Sequence, residues 1–198
     1  MRLTLHRTAL VALVSASALA LGGCSASGGA GETPVASASP TASQPPSTPL
    51  VKQTLADEVD GTKVTALAIV TDFPAPEGST AGVRPILVQV RLEAGDEYGG
   101  SVHPSVVSIT ARDVNLDYVT LGMGNPEVLT TPMSAAGYSP LQAVPAGETA
   151  TGWIGAWVRD EVTEFDLVYD RREGKVIGGS NNGEVVPPSR AIAKLIVE

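Results

Sequence analysis

Few side chains in this 198-residue chain combine the type and the spacing that chemistry requires. Cys24 is the sole cysteine, so its thiol can be modified but cannot close an internal disulfide. Beyond it there is one histidine, His103, and no further thiol, which excludes a His/Cys metal cluster. His103 stands in a turn-like His103-Pro104-Ser105 context with Ser101 close by, and neither serine belongs to a Gly-x-Ser-x-Gly elbow or a Ser-x-x-Lys pair. A surface imidazole is the better reading than a general base. No phosphate-cradling glycine loop opens a helix. Asp160, Glu161, Glu164 and Asp166 are the densest acidic group. Calcium takes roughly six to eight oxygens from an ordered ligand run, and the Asp-x-Asp-x-Asp-Gly order is missing, so a solvated loop is expected. Trp153 and Trp157 share a face of one segment and could stack on sugar rings, though core packing accounts for them better. With two carboxyl groups roughly 5–10 Å apart beside them, they would make a wall-directed hydrolase, the alternative to a non-catalytic protein.

The cysteine has a specific setting. A short basic start with Arg2 and Arg7 leads into an apolar run over residues 8–21, then Leu21-Gly22-Gly23-Cys24. A basic start, an apolar run and small residues before a cut form a secretory signal. Small residues let the chain lie extended in a peptidase cleft, and Leu21 fills an apolar subsite three positions before Cys24. The run has 14 residues, short of the roughly 20 that span a bilayer. The two arginines are separated, which favours the general secretory route over the twin-arginine one. These four residues resemble the lipobox of bacterial lipoproteins. The resemblance implies that Leu21, Gly22 and Gly23 are read by the signal peptidase and that Cys24 is thioether-linked to diacylglycerol. It also implies that Cys24 becomes the first residue of the mature chain, on the extracytoplasmic face of the cell membrane. Burial of acyl chains contributes about 0.8 kcal/mol per CH₂, so two chains on Cys24 would hold the protein to the lipid bilayer without a second membrane element.

Composition separates the chain into residues 1–23 as signal peptide, 24–49 as lipidated cysteine and tether, and 50–198 as a folded domain. Of residues 25–49, 22 are Ser, Ala, Gly, Thr or Pro. Such a segment buries too little apolar area to offset its ordering entropy and is expected to be disordered. As a flexible coil it would span about 28 Å, and as extended polyproline about 78 Å. The leader holds two of the 13 basic residues and none of the 21 acidic ones, leaving the remainder with a formal charge of about −10. That sign argues against nucleic acid and anionic lipid headgroups as partners, because phosphate contacts need clustered Lys and Arg.

From residue 50 period-two patterning predicts strands. One covers residues 64–71. The next covers 84–92, with Ile86, Val88, Val90 and Leu92 on one face and Leu87, Gln89 and Arg91 on the other. A turn over 95–100 precedes strands at 106–112 and 116–121. Residues 149–158 are apolar on both faces and predict a central strand. Phe165, Leu167 and Tyr169 alternate with Asp166, Val168 and Asp170. Asn181-Asn182-Gly183 signals a hairpin-type turn, and a last strand is expected over 191–197. Helical patterning is confined to two candidates, 54–60 and 127–136, so a parallel βαβ arrangement, which needs a crossover helix between successive strands, is not expected. Residues 122–145 are too long for a tight hairpin and predict an excursion across one end of the sheets.

The stretch Gly147-Glu148-Thr149-Ala150-Thr151-Gly152-Trp153-Ile154, followed by Phe165-Asp166-Leu167-Val168-Tyr169-Asp170, resembles the closing half of a domain of unknown function found in bacterial lipoproteins. The likeness covers about residues 64–178. It implies an immunoglobulin-like β-sandwich related to telokin-like and secreted mycobacterial immunoprotective proteins, and it supplies no catalytic residues. The expectation is therefore an all-β, immunoglobulin-like antiparallel β-sandwich behind a signal peptide and a disordered linker. Its expected role is that of a non-catalytic binding or accessory module at the cell envelope. It would need no cofactor or metal, and it would meet an envelope protein or a cell-wall component.

Overall fold

The computed structural model describes residues 45–112, 120–123 and 127–198. These belong to one compact unit, Ala42–Glu198. Leu21, Gly22, Gly23, Cys24 and most of the tether lie outside the described residues, as does most of the strand expected over 116–121. In chain order the elements are β1 (Thr48–Pro49), β2 (Thr54–Ala56), β3 (Lys63–Val70), β4 (Val83–Glu93), β5 (Ser101–Val102), β6 (Val107–Ala111) and β7 (Thr120–Met123). The helix α1 (Glu127–Ala135) follows, then β8 (Val144–Pro145), β9 (Thr149–Arg159), β10 (Phe165–Arg171), β11 (Gly174–Lys175), β12 (Val185–Val186) and β13 (Ser189–Lys194). The chain is mainly β, with antiparallel sheets and this one short helix among the described residues.

Five strands make one sheet in the order β1-β3-β4-β9, with β2 also paired to β3, and four make a second in the order β13-β10-β6-β7. β5 with β8 and β11 with β12 form two small ribbons. The period-two pattern explains the main core. Ile86, Val88, Val90 and Leu92 of β4, with Ile154, Ala156 and Val158 of β9, are all buried. They share one cluster with Val107 and Ile109 of β6 and with Phe165, Leu167 and Tyr169 of β10. Each fully buried aliphatic side chain contributes about 1.5–3 kcal/mol.

The other face of the five-stranded sheet is covered too, as the two apolar faces of residues 149–158 suggested, although β9 ends the sheet and is not the central strand expected there. Leu87, on the face expected to carry Gln89 and Arg91, is fully buried. It belongs to a second cluster with Ala68, Val70, Phe73, Trp153, Tyr138 and the helix residues Leu129 and Met133. Within residues 122–145 the described part covers a sheet face. These residues begin inside β7, and their helix lies on the outer face of β4 and β9. Leu129 and Met133, one turn apart, form the buried stripe of α1. Gly137, with φ 86°, ends it. Tyr138 N–H donates to the Met133 carbonyl at 2.9 Å and Gly137 N–H to the Ser134 carbonyl at 3.1 Å, a Schellman closure in which Tyr138 packs back on Met133. A Cβ on Gly155 would lie 3.0 Å from Leu129 Cδ1 and 3.4 Å from Met133 Sδ, so the missing side chain admits the helix. After the helix the chain runs along the free edge of β9, where Leu141 N–H donates to the Trp153 carbonyl and Trp153 N–H to the Ser139 carbonyl, each at 2.9 Å.

The helix expected over 54–60 is a correction. Residues 54–56 form β2, with Leu55 buried opposite Val64, and the chain then turns through Asp57 to Thr62. Asp57 Oδ1 accepts the Val59 N–H at 2.9 Å, and a short acidic side chain that bonds its own backbone favours a turn over a helix. The last strand is also shifted: β13 begins at Ser189, and the chain leaves the four-stranded sheet after Leu195, whose N–H still donates to the Phe165 carbonyl at 2.9 Å. Val51 N–H then donates to the Ile196 carbonyl at 2.8 Å, and Leu50 pairs with Val197. Thr48 and Pro49, which composition assigned to the tether, pair with Ile69 and Ala68.

Candidate functional site

The turn after β2 places Asp57 where the two sheets meet. Its Oδ1 is held by the backbone, and its Oδ2 accepts two side-chain donors from β10: Tyr169 Oη at 2.9 Å and Arg171 Nε at 2.7 Å. Tyr169 and Arg171 are two apart on one strand and therefore point to the same face. Arg171 Nε is also 3.3 Å from Asp60 Oδ2, and its Nη1 donates to the Pro187 carbonyl at 2.8 Å. Its Nη2 is buried without a protein partner. Gly95, just beyond β4, packs on the same turn. Its N–H donates to Thr62 Oγ1 at 3.1 Å, and a Cβ there would lie 1.7 Å from the Asp60 carbonyl oxygen.

The electrostatics follow from this geometry. Burial would push the Asp57 carboxyl up, but hydrogen bonds from Arg171, the Val59 backbone, Tyr169 and Ser189 prevail and hold it at about 2. The Tyr169 hydroxyl is pushed well above its ordinary range by burial, by the Asp60 charge and by its bond to Asp57. Arg171 is held above its ordinary value: burial opposes the charge, and the bond to Asp57 with the charges of Asp57 and Asp60 outweighs it.

Beside this knot an open recess of about 500 Å³ runs between the 95–106 segment and the β11–β12 ribbon. Asp60, Tyr169 and Arg171 border it from the knot. Arg172 and Lys175 add further basic groups, and Val102, Val106, Val176 and Val186 make an apolar wall. Ile177 also lines it and is 95% exposed.

The residues singled out from sequence are placed as follows. His103 caps the short turn Pro104–Val106: its Nδ1 accepts the Ser105 N–H at 3.2 Å and lies 3.0 Å from Ser105 Oγ. The imidazole thus has a structural task at the edge of the recess, which Ser101 also lines. The acidic group is divided. Asp166 and Glu164 clasp Arg112, whose Nε donates to Asp166 Oδ1 at 2.8 Å and whose Nη1 donates to Glu164 Oε2 at 3.0 Å. Asp160 and Glu161 are exposed. Among the described residues no group of three or more His, Cys, Asp or Glu could hold a metal ion. Trp153 is buried, with its ring 4.9 Å from Tyr138 in an edge-to-face contact, and offers no platform. Trp157 is half-buried beside Val128 in a second, smaller recess. Among the described residues no helix is long and apolar enough to cross a membrane.

Sequence reasoning missed Asp57, Asp60 and Arg171. The available signal was the run Asp57-Glu58-Val59-Asp60-Gly61, a turn composition, together with a charged residue at the inward register of Phe165, Leu167 and Tyr169. No family model, no curated protein and no solved structure matches this chain.

Proposed function

We propose that this chain is a lipid-anchored protein of the extracytoplasmic face of the cell membrane, whose folded part is a non-catalytic binding module at the cell envelope. The observation that carries the reading is Leu21-Gly22-Gly23-Cys24, a lone cysteine placed after small residues at the end of a basic-then-apolar leader and before a tether of small and polar residues. On this reading the folded part is an immunoglobulin-like β-sandwich akin to the telokin-like and immunoprotective-type domains. Two antiparallel sheets contributing to a single core support that assignment. The recess bordered by Arg171 and the β11–β12 ribbon supplies a concave surface for a ligand, and its volume falls in the range of small-molecule sites, roughly 300–1,000 Å³. Tethering adds effective concentration at the surface, so modest affinity suffices there.

The test is replacement of the thiol. In a secreting bacterial host the unaltered chain is expected in the membrane pellet, with the mass of an acylated Cys24 amino terminus. The Cys24→Ser variant should stay in the soluble fraction with an unchanged melting temperature. A serine variant that still pellets with membranes refutes the anchor.

A further inference from the structure

We infer that the recess beside Arg171 binds a small amphipathic organic anion: a carboxylate held by the basic groups and an apolar body laid on the valine wall. The inference rests on the binding-module reading above and gives that module its ligand class. Three observations point the same way. The first is charge. In a chain of formal charge −8, the recess gathers Arg171, Arg172 and Lys175 against one lining carboxylate, Asp60. Arg171 is matched by Asp57 and Asp60, but among the described residues Arg172 and Lys175 make no ion pair. A concave surface with basic walls concentrates anions.

The second is an unmet donor. Arg171 Nε and Nη1 are satisfied, whereas Nη2 is buried without a protein partner. A guanidinium offers its donors in a fixed planar fork suited to carboxylate oxygens. Asp57 and the Pro187 carbonyl hold this guanidinium in place, and Arg171 lines the recess. The third is apolar surface. Val102, Val106, Val176 and Val186 line one recess, and Ile177, 95% exposed, borders it. A free inorganic anion would leave that wall wet. A carboxylate with a hydrocarbon body covers both parts.

The experiment compares octanoate with 1-octanol, which shares the hydrocarbon chain and lacks the charge, by titration calorimetry on the full chain. Octanoate is expected to bind at least about tenfold more tightly, equivalent to about 1.4 kcal/mol. The Arg172→Gln/Lys175→Gln double variant should bring octanoate down to the octanol level without moving the melting temperature, since both side chains are exposed and make no ion pair. Ile177→Ser should weaken both probes by a similar factor. Equal affinity for the two probes, or a double variant that keeps its preference for octanoate, overturns the anion assignment while leaving a recess that binds apolar ligands. Failure of both probes to bind overturns the assignment of the recess itself. Neither result touches membrane attachment, which the thiol replacement tests separately.

Discussion

Replacing Asp57 by asparagine keeps the shape of the side chain and removes the charge on which Tyr169 and Arg171 converge. The amide oxygen of the variant can still accept the Val59 N–H, but its amide nitrogen would then face Arg171 Nε, donor against donor, where the native Oδ2 accepts at 2.7 Å. Removing one partner of a buried ion pair costs about 3–5 kcal/mol. Here Arg171 retains 16% side-chain exposure and the Asp60 carboxylate at 3.3 Å, so the expected loss at pH 7 is about 2–4 kcal/mol. Titration supplies an independent signature. The folded carboxyl is held at about 2 against an ordinary 3.8, so its contribution is complete above the unfolded value and is lost as pH falls through the folded one. About 2 kcal/mol of the advantage over Asp57→Asn should therefore vanish between about pH 4 and pH 2. Urea unfolding of both proteins across that range, followed by circular dichroism, reads the gap directly, and other carboxylates cancel in the difference. The Asp57→Asn/Arg171→Met double variant should recover about 1–3 kcal/mol relative to the sum of the single losses, because it leaves no stranded charge. A loss under about 1 kcal/mol at pH 7, or a gap that stays constant on acidification, would refute this account of the knot.

Two further perturbations probe how the sheets are brought together. Gly95→Ala should destabilise by about 3 kcal/mol or more, since its Cβ would lie 1.7 Å from the Asp60 carbonyl oxygen and backbone must move. Its control, Gly174→Ala, with nothing within 4 Å, should stay within about 0.5 kcal/mol in the same urea assay. Leu129→Ala removes the fully buried contact between α1 and the outer sheet face, at an expected cost of about 2–4 kcal/mol. It should also shift the near-ultraviolet signal of Trp153, which shares that cluster.

Period-two alternation made β3, β4, β6, β9 and β10 legible, because a strand between a core and a second surface must repeat every two residues. The same rule made the inward Ile86, Val88, Val90 and Leu92 readable one by one. The reading failed where the decisive contact is distant in the chain. Leu87 looked like an exposed exception because its cover, Leu129 and Met133, lies more than 40 residues away. The helix candidate over 127–136 is found as α1 despite Pro132 within it, with Leu129 and Met133 four apart and Gly137 beyond them as its local marks. At 54–60 the leucine and valine suggested helical spacing, while Asp57 had already committed the backbone to a turn.

The candidate site divides in the same way. Sequence alone determined the antiparallel β character and the acidic balance. It also marked the lone cysteine behind its leader, because these are properties of composition and of neighbours within a few residues. Only the tertiary structure decided that Asp57 meets Tyr169 and Arg171 across 112 and 114 residues. It also decided that Trp153 is core and that the 103 segment and the basic groups of 171–175 line one recess. The physical reason is range: strand periodicity is written by each residue's own exposure, whereas a buried ion pair or a recess exists only once two sheets have fixed which distant segments face one another.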